Sequence, residues 1–181
     1  MLRINIPDRE WFNEAKNEFV SIKGGTIQLE HSLVSLSKWE AKYKKPFLEN
    51  ENLSLEEFLD YVKFMTITQN VRNDIYFGLT SKNLDEIKNY ISDKMTATWF
   101  RERKGGSSRR IVTSELIYYW MTEYNIPFEV CQKWHLNRLL TLIRVCQEEK
   151  DPKKDKRSRK EQMQDRRALN AARRKRYGTK G

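Results

Sequence analysis

Hydrophobic and polar positions alternate at the start of the chain, where Leu2, Ile4 and Ile6 are separated by Arg3 and Asn5. A period of two is that of a strand with one buried face, and Pro7, which has no N–H to give a ladder, ends it. Further on, Phe19-Val20-Ser21-Ile22 and Thr26-Ile27-Gln28-Leu29 flank Gly24-Gly25, a pattern that predicts a hairpin between them. Thr96-Ala97-Thr98-Trp99-Phe100 and Arg110-Ile111-Val112 flank the turn-rich Lys104-Gly105-Gly106-Ser107-Ser108 and give another strand signal. Together these pieces predict one small antiparallel sheet.

Elsewhere the apolar residues return every three or four positions, which is helical spacing. Leu33, Leu36, Trp39 and Tyr43 make one stripe, stopped by Pro46. Ser54 and Glu57 have the spacing of a capping box, in which each side chain satisfies a backbone N–H at a helix start. The stripe Leu55, Phe58, Leu59, Val62 and Met65 follows it. Leu84, Ile87 and Ile91 mark a shorter helix after Thr80-Ser81. Leu116, Ile117, Trp120, Met121 and Tyr124 mark another, with Thr113 or Ser114 as its cap. Leu136, Leu139, Leu140, Ile143 and Cys146 form the most regular stripe of all. These stripes read as core packing. The fold class is mainly α within α+β: a helical body of about five helices with a small antiparallel β-sheet or hairpins.

Composition changes abruptly after Lys150. Residues 1–150 hold all five Trp, all eight Phe and seven of the eight Tyr, whereas 151–181 offer few apolar side chains. Charge divides at the same place: residues 151–181 carry 13 Lys/Arg against 4 Asp/Glu, the rest 22 against 21. A segment with so little to bury does not offset its own ordering entropy. The expectation is therefore two parts, a globular body over 1–150 and a basic C-terminal tail over 151–181. The tail is disordered or marginally helical, the stretch Arg166 to Arg176 having the residues for a helix but little apolar surface to hold one.

Candidate chemistry is sparse. Cys131 and Cys146, fifteen residues apart, would be separated by about 22 Å along one helix, too far for a disulfide unless that helix breaks. Reduced, buried thiols of a cytoplasmic protein are the expectation. His31 and His135 are too few and too scattered for a metal motif. Cys131 and His135 would share a helical face only if the last helix began early, and no third group orients them. Acidic pairs such as Glu56-Glu57, Asp85-Glu86 and Glu148-Glu149 read as helix surface. No catalytic residue, metal site or cofactor is expected, and no apolar run approaches a membrane span.

The binding candidates are basic. In the tail, Arg157, Arg159, Arg166, Arg167, Arg173, Arg174, Lys175 and Arg176 offer a density of positive charge that attracts acidic protein surfaces and phosphate backbones alike. Tyr177 is the tail's lone aromatic, so the stacking platforms that grip single strands are missing. A second basic group, Arg101, Arg103, Lys104, Arg109 and Arg110, surrounds Gly105-Gly106, but the glycine spacing that ends a phosphate-binding loop in Gly-Lys-Ser/Thr is absent. That loop reads as a hairpin tip adding positive surface.

Several segments carry a likeness to a known group: Leu29-Glu30-His31-Ser32-Leu33-Val34-Ser35-Leu36-Ser37-Lys38-Trp39-Glu40, Lys45-Pro46-Phe47-Leu48, Met95-Thr96-Ala97-Thr98-Trp99-Phe100, Thr113-Ser114-Glu115-Leu116-Ile117-Tyr118-Tyr119-Trp120-Met121, Trp134-His135-Leu136-Asn137-Arg138-Leu139-Leu140 and Ala168-Leu169-Asn170-Ala171-Ala172-Arg173. Through them the chain resembles small tail assembly chaperone-like proteins encoded among the structural genes of long-tailed phages and prophages, mostly of Gram-positive hosts. The resemblance implies a protein, without catalytic residues, that works in the host cytoplasm. It implies binding to the tape-measure protein, which is kept soluble until tail-tube subunits polymerise around it; the tail-tube protein is a further candidate partner. The alternative, from the tail alone, is a nucleic-acid-associated packaging or regulatory protein.

Overall fold

The computed structural model describes residues 1–13, 17–50, 52–100 and 111–150, together with Met163, Gln164, Arg166, Arg167, Asn170 and Arg174. The chain divides into two compact units, Met1–Ile143 and Arg144–Gly181. The architecture is mixed α+β with helices predominating.

The first unit opens with four strands: β1 (Leu2–Ile6), β2 (Arg9–Asn13), β3 (Glu18–Ile22) and β4 (Gly25–Leu29). β1, β3 and β4 lie close to where the hydrophobic pattern puts strands, β2 lies where no strand is expected, and the pairing differs. Gly24-Gly25 does not turn β3 back onto β4. Instead β1 pairs antiparallel with β4 (Leu2 opposite Leu29, Ile6 opposite Gly25) and β2 with β3 (Arg9 opposite Ile22, Asn13 opposite Glu18). Both pairs keep one register, so the two short sheets are halves of a single long hairpin interrupted at Pro7-Asp8 and Lys23-Gly24. The interruption has a local cause. Pro7 has no N–H, and Gly24 instead donates its N–H to Asp8 Oδ1 at 2.7 Å. A Cβ on Gly24 would lie 2.1 Å from the Ile6 carbonyl oxygen, so the backbones approach more closely than a side chain permits.

Residues 96–100 and 111–112 form no strand, contrary to their β-propensity. Trp99 is 82% exposed and Ile111 53% exposed, so neither has a surface to pack against, which is what β-propensity depends on. Local side-chain bonds hold the first stretch irregular: Met95 N–H to Asp93 Oδ1 and Thr98 N–H to Thr96 Oγ1, each at 3.0 Å.

The helices follow their stripes. They are α1 (Leu33–Tyr43), α2 (Leu55–Met65), α3 (Ser81–Ser92), α4 (Ser114–Glu123), the single turn α5 (Phe128–Cys131) and α6 (Leu136–Lys150), with a 3₁₀ segment at Asn73–Gly78. The expected Ser54–Glu57 capping box starts α2, and like boxes, Ser32 with Ser35 and Thr80 with Asn83, start α1 and α3. At α4 the expected cap fails: Thr113 stands at the N-cap position but makes no side-chain capping bond. Its place is taken by Glu40 of α1, whose Oε2 accepts the Ser114 N–H at 2.7 Å while Oε1 accepts that of Phe47 at 3.1 Å. A carboxylate beside a helix N-terminus meets both the free donors and the positive end of the dipole.

The core gathers Ile4, Ile6, Ile27 and Leu29 of the hairpin base with Leu33, Leu36 and Trp39 of α1, Tyr61, Val62 and Met65 of α2, Ile87, Ile117, Met121, and Leu136, Leu139 and Ile143 of α6. Trp39 donates its indole N–H to the Glu57 carbonyl at 2.9 Å, so its burial leaves no polar atom unpaired. Leu55, expected in the stripe of α2, is exposed. Asp60 is buried too. Burial pushes its carboxyl up, but Lys42, Lys63 and the Tyr43 hydroxyl all donate to it and hold it well below the usual carboxylate range.

In the second unit, Arg144 pairs with Glu148 at 3.6 Å within the last turns of α6. The six described tail residues all have helical backbone and exposed side chains, and Arg166, Arg167, Asn170 and Arg174 fall within the stretch whose composition suits a helix.

Candidate interaction surfaces

Arg166, Arg167 and Arg174 are exposed, each with helical backbone. Arg157, Arg159, Arg173, Lys175 and Arg176 lie outside the described residues, as do Arg101, Arg103, Lys104, Arg109 and Arg110 of the basic loop.

The two histidines, scattered in sequence, meet in the fold. Their rings are 5.1 Å apart, edge to face, and both are buried. Backbone bonds bring them together: Ser32 bridges to His135, and Leu136 donates its N–H to the His31 carbonyl at 2.7 Å. His31 Nδ1 shares a 2.5 Å hydrogen bond with the Tyr61 hydroxyl, and His135 Nε2 lies 3.0 Å from the Tyr90 carbonyl oxygen. Desolvation, with the neighbouring His135 second, lowers the His31 pKa to about 3. His31 is therefore neutral at ordinary pH. The pair ties the β4–α1 junction to the start of α6. Among the described residues no three His, Cys, Asp or Glu side chains converge as a metal site. Nor do Cys131 and His135 share a helix, because α5 ends at Cys131 and α6 begins at Leu136. Cys131 is buried, with its thiol pushed up by desolvation, while Cys146 is half-buried; both are free.

Sequence patterning misses two kinds of surface. One is exposed aromatic side chains. Phe12 and Phe19 face each other across β2 and β3 with centroids 5.1 Å apart, and Phe19 is 75% exposed. Tyr118 and Phe128 meet edge to face at 5.8 Å, with Tyr119 and Val130 exposed in the same two helices. Lys94 sits over the exposed Trp99 ring at 4.8 Å.

The other is a cleft of about 530 Å³ where the outer edge of β4 meets α1, the C-terminal end of α2 and the turn before α6. It exists because the chain leaving α2 runs beside β4: Glu30 donates its N–H to the Met65 carbonyl and Ile67 donates to that of Gln28. Val34, Phe64, Met65 and Ile67 give the cleft apolar walls, and Lys38 and Lys133 also line it. The one sequence signal is Ile67, an apolar residue beyond the end of its helix stripe.

No helix among the described residues is long and apolar enough to cross a membrane. Comparison with protein-family models, with curated proteins and with solved structures finds no match to this chain.

Proposed function

We propose that this chain is a tail assembly chaperone of the long-tailed-phage type, holding the tape-measure protein soluble until tail-tube subunits enclose it. The observation that carries the reading is the exposed aromatic surface of a body whose core is otherwise well satisfied. The Phe12–Phe19 pair and the Tyr119, Phe128 and Val130 group are side chains with apolar surface left in water. A chaperone for a long helical client needs such surface to cover the client's apolar stripe. The likeness of residues 29–40, 45–48, 95–100, 113–121, 134–140 and 168–173 to tail assembly chaperone-like proteins of phages supports the same reading. The role takes place in the host cytoplasm and needs no cofactor or catalytic residue.

Co-expression of the tagged chain with the neighbouring tape-measure protein, followed by nuclease-treated pull-down, tests it. Soluble client is expected with the full chain, and recovery is expected to fall in a Phe12→Ser/Phe19→Ser variant that still folds. Truncation after Lys150 reports whether the tail takes part. Nucleic acid retained by the full chain, lost on truncation, with no client recovered after nuclease, replaces this reading with the nucleic-acid-associated alternative.

A further inference from the structure

We propose that the cleft between β4, α1, the end of α2 and the turn before α6 is a docking site for an acidic, amphipathic protein segment. Such a segment would place an apolar side chain between Val34, Phe64 and Ile67 and its carboxylates against Lys38 and Lys133. The inference rests on the chaperone reading in taking the occupant to be a protein.

Charge complementarity selects the occupant. Five carboxylates or cations near this surface already have partners: Glu30 accepts from the Tyr90 hydroxyl at 2.7 Å and pairs with the Met1 ammonium at 3.0 Å, while Lys42 and Lys63 pair with Asp60. The ammonium groups of Lys38 and Lys133 have neither an ion-pair nor a hydrogen-bond partner among the described residues, and both side chains are exposed on the cleft. The cleft therefore presents two uncompensated positive charges beside apolar walls.

Shape narrows the choice further. The volume is in the range that accommodates a few side chains. Ile67 and Met1 stand exposed among the lining residues, so apolar contact continues out of the cleft onto the open surface. A segment lying across the site uses that outer contact, as an amphipathic helix does in a groove. A small carboxylate sunk between the walls leaves it in water.

The test uses the full chain and a labelled helical peptide of about four turns, with Leu at i, i+3, i+4 and i+7 and Glu at the flanking positions. Anisotropy titrations compare the native chain with Lys38→Glu/Lys133→Glu and with Ile67→Ser, each checked for folding by circular dichroism. Binding is expected to weaken about tenfold in the double variant and to return when the peptide's Glu are replaced by Lys. It is expected to weaken in Ile67→Ser without any change of charge preference. Equal affinity of the native chain and the double variant overturns the proposal. So does displacement of the peptide by a short-chain fatty acid or a single-stranded oligonucleotide at lower concentration than unlabelled peptide. Pull-down of the tape-measure protein separates the two readings. Undiminished recovery by the double variant removes the cleft while leaving the chaperone in place. No recovery by the native chain removes the chaperone, and loss of peptide binding in the double variant then still supports the cleft.

Discussion

Glu40 Oε2 accepts the Ser114 N–H at 2.7 Å, joining the middle of α1 to the first turn of α4 across 74 residues of sequence. The other oxygen holds Phe47, whose ring stacks on Tyr61 at 3.9 Å. One carboxylate thus anchors a helix start and a core aromatic together.

Removing it strands two buried donors. We expect Glu40→Ala to lower unfolding free energy by about 3 kcal/mol, and Glu40→Gln, which keeps one acceptor, by about half as much. Urea denaturation of the two variants beside the native chain measures both.

His31 gives the fold an acid limit. Its folded pKa of about 3 lies below the unfolded value of about 6.5, so the unfolded chain takes up the proton first. The contribution is complete above about pH 6.5 and is lost as the pH falls towards 3. Between about pH 6.5 and 5 we expect a loss of about 2 kcal/mol. Asp60, also held low, adds to the loss only once the pH reaches the ordinary range of a carboxyl, and further below it. Denaturation midpoints at pH 7, 6 and 5 check the slope, and His31→Asn is expected to flatten it.

Gly24 has no room for a side chain, since a Cβ there would overlap the Ile6 carbonyl and the Pro7-Asp8 backbone. We expect Gly24→Ala to cost more than about 2 kcal/mol, although the position is far from the centre of the core. Gly25→Ala, whose Cβ would meet the end of the Ile75 side chain at 3.4 Å, is the mild control. Thermal unfolding of both separates a backbone effect from a loss of flexibility.

Two tryptophans should behave oppositely. Trp39 is wholly buried and hydrogen-bonded to Glu57, so Trp39→Ala is expected to cost about 3–5 kcal/mol. Trp99 stands in solvent with Lys94 over its ring, and Trp99→Ala is expected to cost less than about 1 kcal/mol. Chemical denaturation measures the difference.

Local signals in the sequence located the helices well. Ser54 and Glu57 mark the start of α2 because the capping bond is made within four residues. Where partners are distant, the same reasoning fails. The cap of α4 comes from Glu40, and no pattern near Thr113 announces it. The hairpin shows the same failure: Gly24-Gly25 looks like a turn, whereas β3 pairs with β2, Glu18 opposite Asn13. Residues 96–100 have strand-forming side chains, but the largest of them, Trp99, has no surface to bury it. The cleft was illegible for a related reason: Lys38 and Lys133 each sit in ordinary polar surroundings in sequence, and only the path from Met65 to Ile67 along β4 brings them to one opening.

The shared register of the two hairpin halves has a consequence for the exposed end. Sliding one strand by one residue would turn its own buried pair, Ile4 and Ile6 or Ile27 and Leu29, from the interior to the water. The base therefore resists slippage, and the tip inherits its alignment from there. Phe12 stays opposite Phe19 without needing a buried face of its own. The tip is thereby released from selection for packing, and its outward side chains can change to follow a partner while the alignment beneath them stays fixed.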